Sequence, residues 1–231
     1  MHTIHPRMAA LALAAASLTL ATPLRAADDP HQHHQHSQEQ QAPQMQEGHE
    51  HHQHQAAKKE PASAIKVKYG DDVLVNQEGR KVKLKSEVFG DRVVVMDFAY
   101  TTCTTVCPVL TAVLVKVQAQ LGDSVGKDVQ MVTITVDPAR DTPARLKEYA
   151  GKHGVKDGWA WLTGPVATVN GVLDGFDAYT ANFEEHPPMV VVGDPVTGKW
   201  TRFFGFADPK DIVAKVQELR AARGAATKPA G

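Results

Sequence analysis

Cysteine is nearly absent from this chain of 231 residues, which contains only two, Cys103 and Cys107. A structural zinc site takes four protein ligands, so the cysteines alone cannot complete one. A disulfide between them would close a very short loop and would remove little entropy from the unfolded chain. The pair is therefore poorly suited to a purely structural role.

The sequence also lacks an excess of charge of either sign, with 25 basic and 26 acidic residues. It contains no block or stripe of Lys and Arg of the kind that binds a phosphate backbone. The composition argues against a nucleic-acid partner.

Apolar runs long enough to cross a bilayer are missing as well. Residues 8–22 form a shorter apolar stretch behind Arg7, followed by small residues that suit a cleavage site. This pattern predicts a secretory signal peptide over residues 1–27 and a periplasmic protein. Contact with the membrane is expected only if the segment stays uncleaved as an anchor, since no cysteine follows it to carry a lipid.

Residues 28–61 contain no Leu, Ile, Val, Phe, Tyr or Trp. Such a segment cannot bury enough apolar surface to fold, so it is predicted to be disordered. Imidazole suits copper, zinc and nickel, and the segment is therefore interpreted as a loose metal-collecting tail or, more simply, as a solvated tether. Its histidines are His31, His33, His34, His36, His49, His51, His52 and His54.

Residues 64–222 have a globular pattern, and a frayed C-terminus is predicted for 223–231. Strands alternate with helices after an N-terminal hairpin, which predicts an α/β domain with a mixed central sheet flanked by helices. Continuous apolar runs predict buried strands at 92–100, 129–136 and 188–194. Helices are predicted at 106–121, at 141–154 with Asp141 as its cap, and at 208–222.

The two cysteines follow a predicted buried strand and open a predicted helix. Free N–H groups and the positive end of a helix dipole lower a thiol pKa there and favour the thiolate. Cys103 and Cys107 are one helical turn apart, so both sulfurs are expected on one face. Thiolate is a soft ligand, and two thiolates with one imidazole satisfy copper.

Two histidines lie in the predicted domain. His153 falls at a helix C-terminus, where a basic residue is commonplace and a solvated position is expected. His186 lies in a loop that enters the 188–194 strand, beside the strand that precedes the cysteines. It is the better candidate to complete a copper site, for Cu(I) or Cu(II), with Cys103 and Cys107.

Three stretches resemble the Sco/SenC family of thioredoxin-like copper proteins over roughly residues 70–222: FAYTTCTTVCP, TVDPARDTPARLKEYA and Tyr179…His186…GDPVTG. The resemblance implies a thioredoxin-like fold and copper bound by Cys103, Cys107 and His186. It also implies a role in assembling the dinuclear copper centre of cytochrome c oxidase. The expected partners are a copper ion, an oxidase subunit or another copper enzyme, and a thiol-reducing protein.

The chain departs from the family pattern at Asp97, where the family has an apolar residue, and beside His186. Pro187 and Pro188 follow that histidine and predict a cis peptide bond. Asp137 matches an acidic position near the family's site, although a strand-end cap is the simpler interpretation.

Other functions stay open beside the favoured copper chaperone, which would not be an enzyme. A thiol–disulfide oxidoreductase would use Cys103 and Cys107 as its redox pair, although many exchange sites have Cys-x2-Cys spacing. A peroxidase-like reductant would need an arginine near the reactive thiol, for which Arg140 and Arg145 are candidates. A copper buffer or sensor would depend more on the histidine-rich segment.

Overall fold

The computed structural model of the chain describes residues 62–226. The predicted signal peptide, the histidine-rich segment and residues 227–231 lie outside this range. Within the described range, every helix is too short or too polar to span a membrane.

One mixed sheet of eight strands organises the described part of the chain. Its strands are β1 (Ser63–Ile65), β2 (Val73–Asn76), β3 (Lys81–Lys83), β4 (Val93–Ala99), β5 (Val129–Thr135), β6 (Trp159–Thr163), β7 (Met189–Asp194) and β8 (Lys199–Phe204). Their order across the sheet is β1-β8-β7-β4-β5-β6-β2-β3. Strands β4, β5 and β6 run parallel, and every other pairing is antiparallel. The mixed sheet and the β2–β3 hairpin confirm the predicted architecture.

Four α-helices cover the two faces of the sheet: α1 (Val106–Leu121), α2 (Pro143–Lys152), α3 (Val166–Gly175) and α4 (Pro209–Ala226). Apolar residues of α1, α2 and α4 form one core cluster with one set of strand residues. Helix α3 and a π-helical turn at Leu84–Phe89 form the second cluster with the alternate set. Each cluster therefore fills one side of the sheet.

Strand β4 is buried along its whole length, because helices cover both of its faces. Val93 and Val95 belong to one core cluster, whereas Val94 and Met96 belong to the other. This alternation is the pattern expected of a strand in the middle of a covered sheet. The strand leads directly into residues 100–105, the cysteine loop, so that loop begins at a rigid part of the fold.

The start of α2 corrects one prediction. Its cap is Thr142, whose hydroxyl accepts a hydrogen bond from the backbone N–H of Arg145 at 3.3 Å. Asp141, the predicted cap, instead accepts hydrogen bonds from the cysteine loop. Pro143 takes the first helical position, where the missing N–H costs nothing.

Two further expectations are corrected. Helix α4 continues past its predicted end at Ala222 to Ala226, so Arg223 is helical rather than frayed. The described residues contain no cis peptide bond, so the cis bond predicted at Pro187 or Pro188 is wrong. Strand β1 and the π-helical turn were not predicted, since both are very short.

Arg223 explains why the helix continues. Its guanidinium binds both carboxylate oxygens of the fully buried Asp194, with Nε to Oδ2 at 2.8 Å and Nη2 to Oδ1 at 2.5 Å. This two-pronged ion pair joins the end of α4 to the end of β7. Burial raises the pKa of Asp194, but the hydrogen bonds from Arg223, Thr197 and Val196 together outweigh it and hold that pKa below its usual value.

We expect Arg223→Met to lower the free energy of unfolding by about 3 kcal/mol, because it leaves a buried carboxylate without its cation. Arg220→Met is the matched control on the same helix, since it removes only more exposed contacts, with Asp128 and Gln217, and should cost about 1 kcal/mol or less. Urea unfolding at neutral pH measures both values. Equal losses would show that Asp194 does not depend on Arg223.

Candidate metal and thiol site

The cysteine loop connects the buried strand β4 to helix α1. Cys103 lies in this loop, and Cys107 lies in the first turn of the helix. Cys103 precedes the helix, so the two cysteines are not an i, i+4 pair within one helix, but both belong to one small buried cluster. The backbone N–H of Cys107 instead donates a hydrogen bond to Cys103 Sγ at 3.3 Å. Both cysteines are free thiols in the structure, and both are buried.

The two thiols have different environments. Burial raises the pKa of Cys103, but hydrogen bonds from Cys107, Thr105 and Tyr100 outweigh it and bring that pKa below its ordinary value. Burial and the neighbouring Cys103 raise the pKa of Cys107 well above its ordinary value. Of the two thiols, Cys103 is therefore the one whose environment favours the thiolate.

Asp141, which precedes helix α2, holds the cysteine loop in place through hydrogen bonds to Thr101. Its carboxylate accepts hydrogen bonds from the backbone N–H of Thr101 at 3.1 Å and 3.3 Å, and from the Thr101 hydroxyl at 2.5 Å. The hydroxyl of Thr135, at the end of β5, donates to the same carboxylate at 2.5 Å. One buried side chain thus joins the cysteine loop, β5 and the start of α2. This role was missed in the sequence, where Asp141 looks like an ordinary helix cap.

His186 lies between a short 3₁₀ turn at Phe183–Glu185 and strand β7. Its side chain is buried, and its ring centroid lies 5.7 Å from that of Phe98. Burial lowers the pKa of His186 to about 4, against the opposing effect of a backbone hydrogen bond with Ala178. The imidazole is therefore neutral at neutral pH, which is the form that binds metals.

One nitrogen of this imidazole is unused. The Nε2 atom of His186 is buried and finds no hydrogen-bond partner among residues 62–226. The histidine lines a very small pocket of about 10 Å³ together with Phe98, Tyr100, Val106, Cys107, Leu110 and Pro188. The structure therefore brings His186 and Cys107 to the same pocket.

Cys103 lines a different cavity from the one that contains His186. It lines a groove of about 460 Å³ against helix α2, and Cys107 is not part of that groove. In the described range, no three His, Cys, Asp or Glu side chains lie together in a ready-made metal cluster. The predicted ligands are thus close in pairs: Cys103 with Cys107 through a hydrogen bond, and Cys107 with His186 through a shared pocket.

The remaining singled-out residues occupy other positions. His153 is the C-cap of α2, as expected, and its ring centroid lies 4.3 Å from that of Tyr149. Asp137 is buried at the end of β5 and forms an ion pair with Arg140 at 3.0 Å, so it serves a structural role. Arg145 lines the groove beside Cys103.

Asp97 is a buried carboxyl group in the middle of β4. Its Oδ1 accepts a hydrogen bond from the Thr133 hydroxyl at 2.5 Å, and its Oδ2 has no partner among the described residues. Burial raises its pKa to about 7, although the bond from Thr133 opposes the shift. The carboxylate also contributes to the high pKa of Cys107. The departure from an apolar residue at this position therefore changes the charge behind the thiols.

The donor set suits a soft metal ion. Two thiols and one neutral imidazole are the ligand types that copper accepts, whereas zinc would require a fourth ligand. A nitrogen that binds a metal ion cannot also hold a hydrogen bond, and Nε2 of His186 has no hydrogen-bond partner among the described residues. Together the fold and the site define a thioredoxin-like domain with a Cys-x3-Cys pair at a strand–helix turn and a buried histidine beside it.

Known proteins place this domain in a family. The SCO1/SenC family model matches residues 60–221. The SCO1 protein homolog of Bacillus subtilis is 37% identical over 90 residues, which are 38% of this chain and 45% of that relative. The chain thus spans less than half the length of that curated relative. The family model covers the greater part of the chain, and the chain therefore belongs to the SCO1/SenC family.

Solved structures agree with this placement. BsSco, a member of the Sco family of cytochrome c oxidase assembly proteins, has a TM-score of 0.57 and 27% identity, covering 68% of this chain and 95% of that chain. Copper-bound ScoI of Bradyrhizobium japonicum has a TM-score of 0.54 and 26% identity, covering 64% of this chain and 97% of that chain. These matches confirm the predicted thioredoxin-like fold.

Asp141→Ala is expected to lower the free energy of unfolding by roughly 3 kcal/mol, because it leaves the Thr101 N–H and two hydroxyls without their acceptor. It should also speed hydrogen exchange in the cysteine loop. Asp137→Ala is the control, since within residues 62–226 its carboxylate pairs only with the exposed Arg140. Exchange rates across residues 100–107 that stay unchanged in Asp141→Ala would show that this carboxylate does not hold the loop.

The pKa values of His186 and Asp97 predict opposite effects of pH on stability. The pKa of His186 is about 4 in the folded protein and ordinarily 6.5, so its contribution to stability is lost as pH falls through this range. The pKa of Asp97 is raised from 3.8 to about 7, so acidification over the same range adds stability.

The reduced, metal-free protein should therefore show a shallow dependence of unfolding free energy on pH between about 4 and 6.5. Asp97→Asn should lose stability on acidification, because only the effect of His186 remains. His186→Gln should gain stability on acidification, because only the effect of Asp97 remains. Denaturant unfolding at several pH values measures the slopes, and parallel curves for the two variants would contradict both assignments.

Proposed function

We propose that this protein is a copper chaperone that binds one copper ion through Cys103, Cys107 and His186 and delivers it to a respiratory copper centre of the cytochrome c oxidase type. One observation carries the proposal: a neutral, buried histidine whose Nε2 has no partner lines the same pocket as one thiol of the pair. The relatives support it, since ScoI of Bradyrhizobium japonicum binds copper and BsSco belongs to a family of oxidase assembly proteins.

The chemistry of the donors explains why copper is the cargo. Thiolates are soft and favour Cu(I), and a neutral imidazole adds a third ligand without adding charge. Three protein ligands leave one side of the ion open to a ligand of the recipient. The ion can then move by ligand exchange, without release into solution.

The same thiols make the site sensitive to oxidation. If Cys103 and Cys107 formed a disulfide, both thiolates would be lost and copper binding would end. We place the protein in the periplasm on the basis of residues 1–27, and this compartment is oxidising. A reducing partner is therefore part of the proposal.

A second function is favoured by a separate observation. The lowered pKa of Cys103 and the groove beside it suit a thiol–disulfide oxidoreductase that reduces a partner's cysteines. The relative BsSco has a disulfide switch. This function needs both cysteines but has no use for His186, and that difference separates the two candidates.

Anaerobic Cu(I) competition titration of the reduced full chain tests the copper site. We expect one tightly bound equivalent that is absent from the oxidised protein. His186→Ala should weaken this equivalent by roughly tenfold or more, because loss of a group that merely supports a metal ligand already costs 10–100-fold. Cys103→Ser and Cys107→Ser should abolish it.

His153→Ala is the matched control, because it removes the other described histidine. The residues before 62 are the same in every variant, so their contribution cancels. If His186→Ala weakens copper binding and leaves thiol–disulfide exchange unchanged, the chaperone function is supported. Tight binding that survives His186→Ala would remove this histidine from the ligand set.

A further inference from the structure

The two sulfurs of the pair are reached from different sides. Cys107 lines the small pocket that contains His186, whereas Cys103 lines the groove against α2. Only 5% of the surface of Cys103 is exposed. A molecule that reacts with this sulfur must therefore enter the groove first, and the groove controls which molecules react.

The groove has the size of a binding site for a small molecule. Its volume of about 460 Å³ falls in the range of sites that bind ligands of a few hundred daltons. Besides Cys103, it is lined by Thr101, Thr104, Pro108, Arg145, Glu148, Tyr149, Lys152 and His153. Tyr149 is buried, so its ring forms part of the floor of this groove.

The charged side chains of the groove favour an anion. Among the described residues of the lining, Arg145 and Lys152 are cationic and Glu148 is the only acidic one. Glu148 is paired with Lys152 at 2.6 Å and also lies near Arg145, whose guanidinium donates one hydrogen bond to the carbonyl of Arg140. Two cations against one anion leave the lining with a positive balance. The first turn of α1, which follows the cysteine loop, carries no acidic side chain and has no side-chain cap. Its N–H groups therefore add to the positive potential around Cys103.

We propose that this groove is a binding site for a small thiol that carries a carboxylate, and that such a thiol is a reductant of the Cys103–Cys107 disulfide. The inference goes beyond copper delivery, because it concerns the oxidised protein and needs no metal. The carboxylate would lie against Arg145, which places the sulfur of the thiol near Cys103.

The reaction balances as two successive exchanges. The thiolate of the first small thiol attacks Cys103 Sγ, the Cys103–Cys107 bond breaks, and Cys107 leaves as a thiolate that takes a proton. The thiolate of a second small thiol then attacks the sulfur of the first small thiol in the mixed disulfide. The bond to Cys103 breaks, and Cys103 leaves as a thiolate that takes a proton. The protein gains two electrons and two protons, and two small thiols become one disulfide.

The test measures how fast the oxidised, metal-free full chain is reduced by three small thiols of different charge. The anionic probe is 3-mercaptopropionate, the neutral one 2-mercaptoethanol and the cationic one cysteamine, compared at equal thiolate concentration. Free protein thiols are trapped with a maleimide and counted by mass spectrometry. We expect the anionic probe to react about fivefold to tenfold faster than the neutral one at low salt, and the advantage to shrink in high salt.

Arg145→Glu should remove or reverse this preference, and Lys147→Glu is the matched control. Both variants change the net charge equally on the same helix, but Lys147 does not line the groove. An equal effect of the two variants would overturn the proposal, as would rates that follow thiolate concentration alone. A cysteine peptide with acidic flanks that reacts faster than 3-mercaptopropionate would assign the groove to a polypeptide and overturn the assignment to a small thiol. Copper titration of Arg145→Glu separates this site from the copper site, since tight copper binding should persist.

Discussion

The buried carboxylate of Asp141 is the interaction on which the geometry of the site depends. A buried carboxylate is costly unless hydrogen bonds replace the water that it loses. Here the donors come from Thr101 in the cysteine loop and from Thr135 at the end of β5. Satisfying one charge therefore fixes the loop against the sheet and sets where α2 begins. The position of Cys103 and the wall of the groove beside it follow from the same contact.

The fold shifts the pKa values of the three candidate ligands in different ways. Cys103 is activated by hydrogen bonds, Cys107 is held as a thiol by burial, and His186 is kept neutral by burial. Asp97 adds to this arrangement from the strand behind the loop, since a carboxylate there disfavours a thiolate at Cys107. A cation bound between the thiols would instead favour the thiolate at Cys107 and the carboxylate at Asp97. In the proposed copper site, the bound ion would offset the charge of the thiolates in these apolar surroundings.

Much of this architecture could be predicted from local patterns. Helix α1 was predicted with its observed bounds, because apolar residues recur along one face of residues 106–121. Strand β4 was predicted because a continuous apolar run signals burial on both faces. The cysteines and His186 were chosen for their chemistry, and the structure brings Cys107 and His186 to one pocket. Their role as copper ligands stays a prediction.

The missed features depend on contacts between distant parts of the chain. Asp141 looks like a cap next to Thr142, and only the fold shows that it bonds to Thr101, forty residues away. The extension of α4 depends on Asp194, which precedes Arg223 by 29 residues. The groove beside Cys103 joins residues of the cysteine loop with residues of α2 that no local pattern connects. Periodicity carries no information about such pairs, because it describes neighbours along one element.

The separation of the two sulfurs has a consequence for how loading and reduction relate. In the proposed copper site, Cys103 and Cys107 would have to approach His186, whose pocket has room for little more than an ion or a water molecule. The proposed reduction of a Cys103–Cys107 disulfide would begin at Cys103, which lies on the other side against α2. A reductant in the groove therefore leaves His186 and its pocket undisturbed. Of the two thiols that reduction releases, Cys107 already shares a pocket with the neutral imidazole of His186. In the proposed site, only the loop that carries Cys103 would then have to move for a copper ion to follow the reductant, and the sheet and α2 would keep their positions.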